Sequence, residues 1–281
     1  MNCAWQSFLN ILPVWLRRDV DRLGRDKLQE LRLRLNQEPE LKLGQNSARI
    51  QRKITAQDLH YCVNLASRYS PWIAETAKYG YITAPGGHRI GLCGNCGDTA
   101  GVITNLSNLT SLCLRVARDF PGIARESAKD TDSVLIIGRP GSGKTTLLRD
   151  LIRQRSEKGE CICVVDERAE IFPKENGAFS FQVGQNTDVL TGCNKRTGVQ
   201  MLLRTMGPDV IAIDEITAAE DCKALLHAGW CGVKLIATAH AESKVDLFRR
   251  PIYRPVLESK LFDVLIILKP DKSWYAERLL I

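Results

Sequence analysis

A P-loop pattern, G-x-x-x-x-G-K-[ST], is formed by Gly138-Arg139-Pro140-Gly141-Ser142-Gly143-Lys144-Thr145-Thr146. The apolar run 134–137 precedes it and predicts a short buried strand, and the apolar spacing within 145–155 predicts a helix after it. A strand, a glycine-rich turn and a helix are the elements that this motif requires. The context therefore favours a phosphate-binding loop over a chance glycine-rich turn.

Each residue type in this loop suits a nucleoside triphosphate. The glycines let the backbone curl around the phosphates with its N–H groups directed inward, at the positive end of the following helix. Lys144 is expected to reach the β- and γ-phosphates, and Thr145 offers its hydroxyl to Mg²⁺. The sequence has no Asn-Lys-x-Asp reader of guanine, so ATP with Mg²⁺ is the predicted ligand.

An acidic pair follows a second apolar run. Val210–Ile213 predicts a strand buried on both faces, and Asp214 and Glu215 stand at its carboxyl end, where ligands bind in open parallel sheets. Asp214 is the predicted metal ligand, and Glu215 is the predicted base that orients and deprotonates the attacking water. The alternative is a solvated acidic turn after a strand.

Two more strands are predicted to end near the same nucleotide. The run 161–165 leads into the acidic residues of 166–170, and the run 234–238 leads into Ala239 and His240. If these strands are parallel neighbours of the P-loop strand, all their carboxyl ends face one ligand. Thr238 and His240 then suit a polar sensor of the γ-phosphate. For His240 the alternative is an ordinary histidine at a strand end.

Together these motifs resemble those of the stage III sporulation protein AA family of endospore-forming bacteria, over roughly residues 75–268. The resemblance implies a P-loop NTPase core of the α/β class with a mainly parallel, RecA-like sheet, preceded by a smaller α+β domain. It also implies that the acidic box and the histidine box contribute to catalysis. The positions that carry it are Gly138–Thr146, Asp166-Glu167-Arg168-Ala169-Glu170-Ile171, 184–190, 204–210, Asp214-Glu215 and Thr238-Ala239-His240, with Asp166, Glu167, Glu170 and His240 as the implied catalytic residues.

The same resemblance implies a ring-forming ATPase of the type II and type IV secretion kinds. Such a protein would form a homo-oligomer, by family likeness a hexameric ring, and would energise a membrane-embedded sporulation channel between mother cell and forespore. The implied location is the mother-cell cytoplasm, peripheral to the membrane through partners. Phe172-Pro173-Lys174 replaces the small, glycine-containing stretch that the family pattern has after the acidic box, and Thr217 replaces a glycine.

Composition leaves two other function classes open. The net charge of +7 permits a nucleic-acid partner, but the chain has neither an appended nucleic-acid module nor a basic stripe interleaved with aromatics, so nucleic acid is disfavoured. A nucleic-acid-associated P-loop motor stays the first alternative, and a nucleotide-dependent scaffold with little turnover is the second. No apolar run reaches the ~20 residues of a membrane-spanning helix.

Arginines are further candidates for the site, because a guanidinium at the γ-phosphate stabilises the charge of phosphoryl transfer. Arg89 and Arg115 lie on or beside predicted strands of the N-terminal part, and Arg196 and Arg204 flank a predicted helix. The resemblance implies that such arginines come from the N-terminal domain or from a neighbouring subunit. The alternative for each is a solvated or salt-bridging arginine.

The chain is predicted to divide near residue 130 into an N-terminal α+β domain (1–118), a linker (119–132) and a P-loop ATPase domain (133–281). The helices are predicted at 3–16, 56–66, 144–157, 197–206 and 218–229, and the N-terminal strands at 79–84, 89–93 and 111–116.

Cysteine usage and the N-terminal apolar residues give two smaller predictions. The ten cysteines, several of them in apolar strands, favour reduced thiols, and Cys93-Gly94-Asn95-Cys96 favours a glycine-rich turn between two strands over a metal site. The apolar residues from Trp5 to Leu16 lie at helical spacing, which favours a core-facing helix over one lying on a membrane.

Overall fold

The computed structural model of the chain divides into two compact units. The first combines Met1–Asp119 with Pro173–Ser180, and the second combines Phe120–Phe172 with Phe181–Ile281. No helix among the described residues is both long and apolar enough to cross a membrane. The structure describes residues 1–44, 46–68, 77–78, 80–99, 102–125, 132–175 and 177–279.

An antiparallel sheet forms the centre of the first unit. Its elements are α1 (Trp5–Asn10), α2 (Val14–Leu23), β1 (Glu30–Arg34), β2 (Glu40–Leu43), β3 (Asn46–Arg49), α3 (Ala56–Ser67), β4 (Tyr81–Thr83), β5 (Arg89–Thr99) and β6 (Val102–Arg115). Within the described residues the strand order is β3-β2-β1-β6-β5-β4, and α3, which confirms the helix predicted at 56–66, packs on β4 and β6. Alternate residues of β1, Leu31 and Leu33, are buried in the core against the helices.

The helix predicted at 3–16 is wrong in extent. The chain forms two helices there, because Pro13 precedes α2 with φ −52° and ψ 139°, an extended conformation that ends one helix before the next begins. The core-facing interpretation is confirmed, since Phe8, Leu12 and Leu16 are each 0% exposed in the core of the first unit.

The turn predicted at Cys93–Cys96 is also wrong. These residues lie inside the long strand β5, which pairs with β6 through register shifts between Cys93 and Asn95 and between Gly97 and Asp98. The glycines that indicated a turn lie instead beside these irregularities of a β-ribbon, where glycine is common. Among the described residues no group of three or more His, Cys, Asp or Glu could hold a metal ion, and all ten cysteines are free.

The segment Pro173–Ser180 belongs to the first unit although it follows the acidic box in the chain. It contains a short antiparallel hairpin of β9 (Lys174–Glu175) and β10 (Ala178–Phe179). Glu175 forms an ion pair with Arg68. The predicted boundaries at 118 and 133 take no account of this excursion, so we propose the two units given above as the domains.

A mainly parallel sheet forms the second unit. Its strands are β7 (Val134–Ile137), β8 (Ile162–Asp166), β11 (Thr187–Thr191), β12 (Val210–Ile213), β13 (Lys234–Ala239), β14 (Val264–Leu268) and β15 (Trp274–Arg278), and its helices are α4 (Lys144–Glu157), α5 (Lys195–Thr205), α6 (Ala219–Trp230), α7 (Lys244–Arg249) and α8 (Arg254–Glu258). The order among the described residues is β11-β8-β12-β13-β7-β14-β15, with only β15 antiparallel to its neighbour. The predicted strands and helices of this unit are confirmed, whereas β11, β14, β15, α7 and α8 were not predicted.

Helices cover both faces of this sheet. Leu135 and Ile137 of β7 face a core shared with α5 to α8, whereas Val134 and Ile136 face a core shared with α4. A strand buried on both faces reads as a continuous apolar run, which is why β7 was recognisable from the sequence.

A buried histidine joins distant parts of the first unit. His88 is 0% exposed, and its Nε2 donates to the Ala4 carbonyl at 2.9 Å while its Nδ1 accepts from the Ala117 N–H at 3.1 Å. Burial lowers the pKa of His88 to about 4. The neutral ring is therefore part of the folded structure.

Acidification should destabilise the protein through His88. The unfolded imidazole takes up a proton near pH 6.5 and the folded one only near pH 4, so this contribution to the free energy of unfolding is complete above the first value and is lost progressively as the pH falls from the first value to the second. Between pH 7 and pH 5 the wild type should lose about 2 kcal/mol more unfolding free energy than His88→Gln. Urea unfolding at both pH values measures the difference, and parallel losses in the two proteins would contradict it.

Candidate nucleotide-binding site

The P-loop connects β7 to α4 at the carboxyl edge of the sheet. Gly141 and Gly143 have φ of +74° and +106°, a region that favours glycine. Gly143 is the N-cap of α4, and no side chain caps this helix. The loop backbone and the open helix N-terminus together form the kind of cradle that binds phosphate groups.

Lys144 lies at the centre of this cradle and is 7% exposed. Its Nζ donates to the carbonyl oxygens of Gly138 and Arg139, each at 3.0 Å, and lies 3.1 Å from Nδ1 of His240. Burial lowers the pKa of Lys144, although the charges of Asp214 and Glu215 oppose this shift. The ammonium is therefore held at the loop by groups that a phosphate oxygen can replace.

Ser142 provides a test of whether the loop fits a phosphate. Its Oγ is buried and has no hydrogen-bond partner among the described residues. A buried hydroxyl without a partner costs free energy, and a phosphate oxygen would satisfy it. A Cβ added at Gly138 would lie 2.5 Å from this hydroxyl, so glycine is required there. The residues present fit a nucleotide phosphate.

Asp214 is fixed by two hydroxyl groups from different elements. Thr145 Oγ1 of α4 donates to Asp214 Oδ2 at 2.6 Å, and Thr238 Oγ1 of β13 donates to Asp214 Oδ1 at 2.5 Å. Thr238 Oγ1 also accepts the N–H of Glu215 at 2.8 Å. Carboxylate and hydroxyl oxygens are hard ligands of the type that Mg²⁺ prefers, so Thr145 and Asp214 fit the predicted metal.

Glu215 is connected to the P-loop through His240. Glu215 Oε1 lies 2.8 Å from His240 Nε2, while Nδ1 of the same ring faces Lys144. Because the ammonium can only donate, Nδ1 accepts and Nε2 carries the proton donated to Glu215. Burial acts to raise the pKa of Glu215. The hydrogen bond from His240 and nearby positive charges together outweigh this effect, so the pKa of Glu215 lies below its usual value.

The acidic box is held by its own backbone. Asp166 is 2% exposed and accepts the N–H groups of Glu170, Ile171 and Phe172 at 2.8, 3.0 and 2.9 Å. The pKa of Asp166 lies above its usual value because burial raises it by more than these three hydrogen bonds lower it. Arg149 of α4 donates to the carbonyls of Glu170 and Ile171, so it fixes the same turn from the other side.

One open cleft brings all five candidate acids together. Arg149, Arg168 and Lys195 were not predicted as site residues from the sequence. Arg168 stands inside the acidic box and could have been found, whereas nothing in the local sequence distinguishes Arg149 or Lys195. The residues that line the cleft are Val165, Asp166, Glu167, Arg168, Glu170, Lys195, Asp214, Glu215 and Thr217.

The candidate arginines lie apart from this cleft or in the first unit. Arg89 and Arg115 pair in register on β5 and β6, and Arg115 Nε lies 3.4 Å from Glu30 Oε2. Arg196 and Arg204 are exposed on α5 and do not line the cleft. Arg204 is on the last turn, about 13 Å along the helix from its first residue. The structure thus does not bring Arg204 into the site of its own chain.

Comparison with known proteins identifies the family. A profile described as "Sporulation stage III, protein AA" matches residues 4–275. The chain belongs to the stage III sporulation protein AA family. Stage III sporulation protein AA of Bacillus subtilis (strain 168) is 38% identical over 258 residues, which cover 88% of this chain and 84% of that protein. The resemblance read from the motifs is confirmed.

Solved structures confirm the fold class. The Legionella pneumophila ATPase DotB is similar with a TM-score of 0.58 at 18% identity, over 95% of this chain and 80% of DotB. The pilus retraction motor PilT, solved with bound ADP, is similar with a TM-score of 0.61 at 14% identity, over 89% of this chain and 76% of PilT. At these identities the likeness supports the P-loop NTPase fold.

Replacing the central lysine should abolish nucleotide binding. Lys144→Ala removes the ammonium that the loop holds for phosphate, and we expect no detectable binding of a fluorescent ATP analogue. The exposed Lys223 provides a matched control, and Lys223→Ala should bind as the wild type does. Circular dichroism checks that both variants fold. Wild-type affinity for the ATP analogue in folded Lys144→Ala would contradict the assignment of this loop as the phosphate-binding site.

Proposed function

We propose that this protein is a Mg²⁺-dependent ATPase. The observation that carries the proposal is the continuous chain of contacts from Lys144 through His240 to Glu215. It connects the group expected at the γ-phosphate to a carboxylate able to accept a proton from water. A phosphate-binding loop that served binding alone would not need that connection.

In this mechanism Glu215 orients and deprotonates the attacking water, because its carboxylate is ionised and held by His240. Lys144 and the P-loop N–H groups hold the β- and γ-phosphates, and Thr145 and Asp214 would hold Mg²⁺. The metal, when bound, neutralises charge on the phosphate oxygens. Asp166 positions the acidic-box turn through its backbone hydrogen bonds, and Glu167 and Glu170 face the same cleft.

His240 is suited to report the state of the γ-phosphate. In the described contacts its Nδ1 accepts from Lys144. When the ammonium turns to a phosphate, Nδ1 loses that donor while Nε2 stays with Glu215. Nucleotide binding at the loop thereby changes the surroundings of the base, which is the coupling expected of a sensor.

We further propose that the protein works as a homo-oligomeric, hexameric ring at the membranes of the sporulating cell. Membership of the stage III sporulation protein AA family supports this, and so does the fold shared with an ATPase and with a pilus retraction motor. Membrane-embedded channel proteins would be its partners on the mother-cell side. Arg89, Arg115 or Arg204 would reach the γ-phosphate by domain motion or from a neighbouring subunit.

Phosphate release tests the ATPase directly. We expect release from ATP that requires Mg²⁺, measured colorimetrically across oligomeric states separated on a sizing column. Tight ATP binding without release in every state would contradict the proposal and favour a nucleotide-dependent scaffold. Salt-sensitive binding of an oligonucleotide, with turnover that depends on it, would favour a nucleic-acid motor.

Removing the charge of the proposed base should separate binding from turnover. Glu215→Gln should bind ATP as the wild type does but hydrolyse it ~100-fold or more slowly, because the proton acceptor is lost while the metal carboxylate remains. Glu167→Gln and Glu170→Gln are the matched variants of the acidic box. If Glu215→Gln is nearly as fast as the wild type and one of these two is inactive, the base lies in the acidic box.

Assembly should control turnover if another subunit completes the site. Specific activity should rise with protein concentration over the range in which monomers become larger particles, and a nonhydrolysable ATP analogue with Mg²⁺ should move that range downward. A mixture of Lys144→Ala with Arg89→Ala or Arg115→Ala should regain partial activity where the arginine acts across a subunit boundary. The ring would be excluded if specific activity did not change with protein concentration, the protein stayed monomeric throughout and mixing the variants restored no activity.

A further inference from the structure

Lys195 is a buried cation at an unfavourable place. It is the first residue of α5, is 7% exposed and lines the same cleft as Glu215. A helix N-terminus carries partial positive charge, and removing an ammonium from water is costly. Partners within the protein must therefore compensate for its position.

Two carboxylates supply that compensation. Lys195 Nζ donates to Glu167 Oε2 at 2.9 Å and lies 3.8 Å from Asp221 Oδ2. Asp221 is itself fixed, because Oδ2 accepts the N–H groups of Thr217 and Ala218 at 2.9 and 3.1 Å. Lys195 thus connects the acidic box to the loop that directly follows Asp214 and Glu215.

Close packing places this lysine. Gly198 lies one turn beyond Lys195, and a Cβ there would be 2.6 Å from Cγ1 of Val165, near the end of β8. The first turn of α5 is therefore pressed against the strand that leads into the acidic box. This contact brings the ammonium to Glu167, two residues after Val165 in the chain.

We propose that Lys195 is a positioning residue that fixes the Glu167 carboxylate as a second acceptor for the water activated by Glu215. The inference rests on the proposed ATPase function. A water held by two carboxylates presents its oxygen in one direction, which is worth more in the transition state than in the bound ground state. Without Lys195 the Glu167 side chain, about one third exposed, would turn away from the other carboxylates of the cleft.

The test is a set of kinetic comparisons. Lys195→Met keeps the length of the side chain and removes the charge, and we expect kcat to fall by ~10-fold or more with little change in KM, because the lysine does not touch the P-loop. Lys195→Arg should restore part of the loss. In a Glu167→Gln background, Lys195→Met should lower kcat little further, because the carboxylate that Lys195 positions is already absent. Lys223→Met is the control on an exposed site.

The outcomes separate this inference from the ATPase proposal. If the wild type releases no more phosphate than Lys144→Ala, the ATPase proposal fails. If the wild type is active and Lys195→Met has the same kcat, the positioning role alone is overturned. The same conclusion follows if the fold-losses in kcat of Lys195→Met and Glu167→Gln multiply in the double variant. Thermal unfolding checks the fold, and if Lys195→Met does not fold, Lys195→Gln in the two backgrounds makes the same comparison.

Discussion

The insertion of β13 between the P-loop strand β7 and the acidic strand β12 is the constraint on which the site depends. Parallel pairing on both sides brings the end of β13 between the P-loop and the Asp214-Glu215 pair. Thr238 then reaches both acidic residues, and His240 reaches both Lys144 and Glu215. With β12 directly beside β7, neither bridge would form, and the phosphate loop and the base would lack a common link.

Around that arrangement the polar groups are satisfied mainly by the protein itself. The Asp166 carboxylate and the Arg149 guanidinium bind the N–H and carbonyl groups of one turn, so the acidic box has a fixed shape before any ligand arrives. Lys195 adds a fixed charge from a third element. Preorganised charges of this kind stabilise a transition state without reorganising during the reaction, although burying them costs folding free energy.

Local signals in the sequence were sufficient for the P-loop and for the ends of β8, β12 and β13, because each combined an apolar run with polar residues at its carboxyl end. The strand order was not predictable in the same way, since it depends on packing between distant segments. Lys195 and Arg149 were missed for that reason. The apolar run of β14, Val264–Leu268, was a readable signal that was passed over. The glycines near Cys93–Cys96 led to the wrong prediction of a turn, because they lie beside irregularities within a strand.

Nitrogen-15 NMR of histidine-labelled protein tests most directly the claim that His240 connects the phosphate site to the base. The chain has four histidines, and His240→Gln identifies the relevant signals. Without nucleotide, we expect the Nε2 atom of His240 to carry a proton and its Nδ1 atom to accept a hydrogen bond. A nonhydrolysable ATP analogue with Mg²⁺ should shift the Nδ1 signal of His240, and Lys144→Ala should abolish that response. A proton on Nδ1 in the free protein, or an Nδ1 signal that nucleotide binding leaves unchanged, would show that His240 does not connect the phosphate site to the base.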